Sequence, residues 1–200
     1  MYFMLDPDLL CLEKMMVLIP RFSPPGSGLL VHTAEDVPDG AGHGQLMRET
    51  MRYIRNIDFL RRFYEYQAER KNDAMQYRGK RHQSFFEKEL QKRKHPAAAM
   101  LCALYLLTAD CRLWMRIRLH VHETGIQFQN VKIGGLSPDA YTLYMTAKDL
   151  YCGTKHITIR DLADRNIVSD QLFGLVCEAM TIRRYGLPAC DNETKTEGKR

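Results

Sequence analysis

The stretch HITIRDLADRNIVSDQLFGLVCEAM, residues 156–180, decides the fold. Thr158 and Asp161 suit the start of one short helix, and Ser169 suits the cap of another. From Ser169 to Arg184 the apolar residues Leu172, Phe173, Leu175, Val176, Cys177, Ala179, Met180 and Ile182 wrap most of a helical circumference. A helix that is apolar nearly all round belongs in the middle of a core. The spacing predicts a short helix, a turn and a central helix, packed as a pair.

Working outward, SPDAYTLYMTAKDLYCG (residues 137–153) has the clearest helix signals. Ser137 is the N-cap, Pro138 takes the first helical position, Asp139 lies in the first turn and Gly153 suits the C-terminal end. AAAMLCALYLL (97–107) is apolar at nearly every position and reads as a buried helix after Pro96. TADCRLWMRIRLHVH (108–122) continues helically after a cap at Thr108 or Asp110, with Leu113, Trp114, Ile117 and Val121 inward, and ends at Gly125. GIQFQNVKIGGL (125–136) alternates like a strand, and the extended piece HITI (156–159) is its candidate partner. The fold class is therefore mainly α: a compact helical domain of about six helices with at most one short β element.

The N-terminal part differs. Residues 1–45 hold two basic and six acidic side chains, net −4, and their Pro- and Gly-rich stretches suggest a loosely ordered segment and linker. Within it, Leu9, Leu10, Leu12, Met15, Met16 and Leu18 suit a short helix ending at Pro20. The apolar start is interrupted by Asp6, Asp8, Glu13 and Lys14, which argues against a signal peptide or a span of ~20 residues. Residues 46–79 read as one long basic amphipathic helix from Leu46 to Gln76, broken at most near Asn72-Asp73 and separated by Gly79 from the stretch HQSFFEKELQKRK (82–94). A helical core domain is expected over 80–187, and a disordered polar tail over 188–200. The six cysteines stand singly, as buried thiols do in a reducing compartment, so no disulfide framework and a cytoplasmic location are expected.

No nucleotide-binding, zinc-protease or hydrolase-elbow motif occurs, and no cofactor or metal site is expected. His120 and His122 lack further ligands, and Cys152 near His156 lacks a third orienting group. TIRDLADRNIVSDQLFGLV (158–176) lines up without gaps with the helix-turn-helix of lactose-repressor-type regulators, and so resembles a DNA-reading element. Three features oppose that use. Ile167 stands where such turns usually place glycine, the second helix has no arginine or lysine before Arg183, and its remaining positions are mostly apolar.

Positive charge is concentrated instead in residues 46–95, with fourteen basic and seven acidic side chains, net +7. Arg48, Arg52, Arg55, Arg61, Arg62, Lys80, Arg81, Lys92, Arg93 and Lys94 are the candidate polyanion contacts, interleaved with Tyr53, Phe59, Phe63 and Tyr64. This mixture suits nucleic acid or an acidic protein surface, met through residues 48–95. The plainer alternative is a solvated helix face. These features favour a non-enzymatic accessory or interaction protein over a DNA-binding regulator using 158–176.

HQSFFEKEL, ALYLLTADCRLW, ETGIQF, AKDLYCG and IRRYG together resemble an uncharacterised domain-of-unknown-function family. Its members are small helical proteins of gut Firmicutes, often encoded on conjugative or other mobile elements. The resemblance spans about residues 82–186 and implies a bacterial, cytoplasmic, helical protein without transferring any site residue.

Overall fold

A computed structural model of the chain describes residues 41–187. Among them run eight α-helices: α1 His43–Met51, α2 Ile57–Glu69, α3 Lys80–Gln91, α4 Ala98–Thr108, α5 Cys111–Ile117, α6 Pro138–Cys152, α7 Ile159–Ala163 and α8 Asp170–Tyr185. Short 3-10 turns cover Arg118–His120 and Phe128–Asn130. The fold is mainly α, as the apolar periodicity indicates. Eight helices replace the six or so expected, because the N-terminal segment divides and two short helices stand by themselves.

Two helices carry the core. In α4 every residue from Met100 to Thr108 is buried, and in α8 every residue from Leu172 to Ile182. α4 packs against α3, α5, α6 and α8, while α8 also meets α1 and α6. Trp114, Leu143, Tyr144, Phe173 and Val176 share this cluster, so the helix faces lie as the sequence pattern places them. Side-chain caps set most of the starts. Asn56, Asp110, Ser137 and Ser169 each accept a bond from the third residue of the helix they open. Thr158 and Asp161 form a reciprocal capping box. Gly153, at φ 73°, closes α6 in the left-handed conformation that only glycine adopts freely.

Four expectations need correction. Residues 46–76 do not form one helix. Met51 turns into the core, and the Asn56 side chain accepts the Phe59 N–H at 2.8 Å, which starts a new helix. The capping bond outcompetes helical continuation, as local Asn bonding commonly does. α2 stops at Glu69, before Asn72-Asp73. Residues 43–45, expected in the loosely ordered segment 1–45, are helical instead: α1 begins at His43, which is buried. Met47, Met51, Phe59 and Phe63 join the same core cluster as Phe173, and the Phe59 and Phe173 rings meet edge-on at 5.1 Å. The other boundaries of the terminal segments, at 1–40 and 188–200, lie outside the described residues.

The alternating stretch 125–136 is not a strand. One antiparallel bridge joins Val121 to Ile126, and Phe128–Asn130 coils into a 3-10 turn. Ile126, Phe128 and Val131 are buried as separate anchors, and the Tyr144 hydroxyl donates to the Phe128 carbonyl at 2.6 Å. The HITI piece is held elsewhere, since the His156 and Ile157 N–H groups donate to Asp149 at 2.8 and 2.9 Å. Finally, the helix opening after Asp110 ends at Ile117 and its 3-10 extension at His120, well before Gly125.

Candidate functional site

The ten candidate polyanion contacts part company in the structure. Arg62 is only 3% exposed. Its guanidinium donates to the Leu162 carbonyl at 2.8 Å, to the Val168 carbonyl, and to Asp170 at 2.9 Å, and lies over the Phe173 ring at 4.5 Å. It is therefore a strut holding α2 to the α7–α8 turn, and its assignment as a surface contact is corrected. Arg93 is likewise drawn in, with its side chain 6% exposed. It donates to the Glu89 carboxylate at 2.9 Å and the Glu89 carbonyl at 2.7 Å. Arg52 and Arg61 face solvent beside Glu49 and Asp58, one turn away. Arg48 on α1, Arg55 between α1 and α2, Lys80 and Arg81 at the start of α3, and Lys94 beyond its end are exposed. Lys80 and Arg81 open α3 while Lys92 and Lys94 follow its end, and twelve helical residues separate them by about 18 Å. The basic segment does not form one continuous cationic face.

What the structure does assemble is a groove of about 880 Å³ between the second half of α3 and α5 with its following turn. Phe85, Trp114, Leu119 and Val121 supply apolar lining, and Lys88, Lys92 and Arg118 stand along it. Leu119 is 73% exposed and Met115, one turn earlier, 50%. Apolar side chains that open to water on one ridge are the feature that needs explaining. Glu89 and Arg93 form part of the lining. Burial pushes the Glu89 carboxyl up, but the bonds from Lys92 and Arg93 outweigh it and leave its pKa below the ordinary value. The Arg93 Nε is buried without a hydrogen-bond partner among the described residues. Lys92 and Arg93 were among the sequence candidates, whereas Lys88, Arg118 and Leu119 were not. A signal for Leu119 existed: Met115 and Leu119 repeat at four residues, out of phase with the inward Leu113 and Ile117.

A second polar cluster is sealed inside. Glu178 of α8 has no exposed surface. One carboxylate oxygen lies 2.5 Å from His43 Nε2, and the other accepts from Arg70 and, at 3.1 Å, from the Tyr66 hydroxyl. Burial and then the Glu178 charge push the Tyr66 phenol far up, so it remains a donor. Burial pulls the Arg70 pKa down, but Glu178 outweighs this and raises it overall. α1, α2 and α8 are thereby pinned together by one carboxylate. None of the groove's lining residues belongs to this cluster.

The sequence alternatives also acquire geometry. α7 has five residues, and beyond Gln171 the second helix of the would-be DNA reader is buried through Ile182. Gln171 is held by Arg78 at 3.2 Å, whose guanidinium also approaches Asp110 and Asp139 at 3.6 and 3.7 Å. One arginine thus gathers the starts of α5, α6 and α8. Ile167 escapes strain, because His95 alone among the described non-glycine residues has positive φ. The turn closes instead through the Val168 N–H to the Asp164 carbonyl, at 3.0 Å. His156 turns its Nδ1 to Asp149 at 2.7 Å, and burial pushes the Cys152 thiol up, which disfavours a nucleophilic thiolate. Among the described residues, no three His, Cys, Asp or Glu side chains gather where they could hold a metal ion, and no helix is long and apolar enough to cross a membrane.

No family model, no curated protein and no solved structure matches this chain.

Proposed function

We propose that the protein is a non-enzymatic interaction protein whose binding face is the α3–α5 groove, and that its partner is an acidic, partly apolar protein segment. The observation that carries this reading is the union of exposed Leu119 with Lys88, Lys92 and Arg118 in one concavity. Carboxylates of a partner would meet these cations at the rim while its apolar side chains cover Leu119 and reach toward Trp114. The scattering of the other cations gives nucleic acid less support, since a phosphate backbone needs a track of charge. The resemblance over residues 82–186 supports a bacterial cytoplasmic accessory role, on a mobile element.

Trp114 is the only tryptophan in the chain and lines the groove, so its fluorescence is a direct reporter. Titration with an acidic amphipathic peptide should shift its emission, and Lys92→Glu with Arg118→Glu should abolish the shift. Duplex DNA, tested by mobility shift at two salt concentrations, should bind weakly and without sequence preference. Tight, salt-resistant binding to one duplex, lost on changes in residues 169–176, would instead establish the regulator reading and overturn this one.

A further inference from the structure

We infer that the outer ridge of α5 docks the protein on an anionic phospholipid surface. This goes beyond the groove reading, because Arg112, Met115, Arg116 and Lys132, which carry it, do not line the groove. On α5 and its 3-10 extension, Arg112, Met115, Arg116 and Leu119 recur at three and four residues and so form one stripe, about 10 Å long. All four are exposed, whereas Leu113, Trp114 and Ile117 between them turn into the core. The two apolar members stand out from the surface, Met115 at 50% exposure and Leu119, where the ridge meets the groove, at 73%.

Charge complementarity names the occupant. Between Asp110 and Asp139 the chain carries four basic side chains, Arg112, Arg116, Arg118 and Lys132, against one carboxylate, Glu123. All four cations are exposed. Arg116 donates to the Gly134 carbonyl at 2.7 Å, which brings the loop with Lys132 beside α5. None of the four pairs with a carboxylate among the described residues. The carboxylates closest to the ridge, Glu123 and Glu89, line the groove, and Glu89 is already held by Lys92 and Arg93. An apolar stripe set among unpaired cations is the complement of a bilayer with acidic headgroups. The apolar tips enter the headgroup boundary while the cations stay among the phosphates. A nucleic acid fits less well, since its backbone offers nothing to Met115 and Leu119, and the stripe has no aromatic ring to stack on a base. Each cation held at an anionic surface strengthens binding about fivefold, an effect that salt screens.

The test is co-sedimentation of the full chain with vesicles of phosphatidylcholine alone, and with phosphatidylserine as about one lipid in three, at low and high salt. The expected result is binding to the phosphatidylserine vesicles only, weakened at high salt. Arg112→Glu with Lys132→Glu should weaken it at least about tenfold, and Met115→Asp about tenfold, while Met115→Leu leaves it unchanged. These side chains are exposed, so the variants should keep the helicity of the parent by circular dichroism. Vesicle binding that is absent, equal on the two compositions, or unchanged by Met115→Asp would overturn the inference. So would capture of duplex DNA or an acidic peptide by the ridge in place of vesicles, released by Arg112→Glu with Lys132→Glu. The groove reading stands or falls separately, on the Trp114 response to the acidic peptide in the presence of Lys92→Glu with Arg118→Glu.

Discussion

Glu178 and Glu89 are two buried glutamates, each held by two basic side chains, in opposite circumstances. Glu178 is closed off between three helices and bonded to His43, Arg70 and Tyr66. Glu89 sits at the wall of an open groove; its partner Arg93 is drawn in with a side chain 6% exposed, but its partner Lys92 has a side chain 64% exposed. Where solvent is excluded, a charge must be matched completely, and losing one partner leaves the other stranded. Where solvent is near, the same pairing is screened and exchangeable. The first arrangement therefore locks helices together, and the second leaves Lys92 available to a partner.

The largest effect should come from unbalancing the sealed cluster. Glu178→Gln leaves the Arg70 charge buried and unmatched, and should cost about 3–5 kcal/mol in urea unfolding. A loss below about 1 kcal/mol would mean that the cluster is hydrated and that the contrast with Glu89 is false.

α3 carries the contrast along its own length, with buried His82 at one end and Glu89 at the other. His82 Nδ1 accepts the Arg78 N–H at 3.0 Å, and Nε2 donates to the Tyr105 carbonyl at 2.7 Å, so the fold requires the neutral ring. Burial lowers its pKa from 6.5 to about 4. As pH falls, the unfolded chain takes up this proton before the folded one does. The stability that His82 contributes is full above about pH 6.5 and is lost toward about pH 4, amounting to roughly 3 kcal/mol. His82→Gln should flatten the stability curve over that window. Because the Glu89 pKa is depressed, its contribution is lost in the same direction, on acidification through the carboxylate range.

Gly174 tests how tightly the sealed region is built. A Cβ there would stand 2.6 Å from the Tyr66 ring, which Glu178 holds in place. Alanine would gain about 1 kcal/mol of helix propensity, yet Gly174→Ala should destabilise by about 1–2 kcal/mol, because overpacking outweighs it. On the open side the costs shrink. Glu89→Gln should cost about 1–2 kcal/mol by thermal unfolding, less than Glu178→Gln, because Lys92 turns to solvent while Arg93 keeps its bond to the Glu89 carbonyl. Leu119→Ala should change stability by less than about 0.5 kcal/mol while weakening peptide binding measured by Trp114 emission. A Leu119 variant that unfolds readily would show the ridge to be part of the core, and so would remove the groove.

Much of the scaffold was legible because its signals are local. Ser137-Pro138-Asp139 and Gly153 mark both ends of α6 where they lie. The apolar runs at Met100–Leu107 and Leu172–Ile182 identify the central helices by composition alone. The break between α1 and α2 was harder, because Arg52 to Asn56 contains no proline or glycine. Asn56 as a cap becomes decisive only when Met51 and Phe59 must both reach the same core. The false strand at 125–136 has a related cause, since alternation cannot reveal whether a partner strand exists. The candidate site was the least legible part. Arg61 and Arg62 are adjacent and chemically identical, yet one faces water beside Asp58 and the other is caged by Leu162, Val168 and Asp170.

The sequence by itself determined the helical class, the caps at Ser137, Thr158 and Ser169, the identity of the core helices and the uneven charge. Each of these depends on residues within a turn or two of one another. Only the tertiary structure decided which cations are struts and which are free, where Leu119 lies, and that His43, Tyr66, Arg70 and Glu178 meet. The Glu178 cluster and the Arg62 cage depend on partners a hundred or more residues away, the Leu119 groove on a separate helix, and a charge acquires its role from the solvent and counter-charges around it.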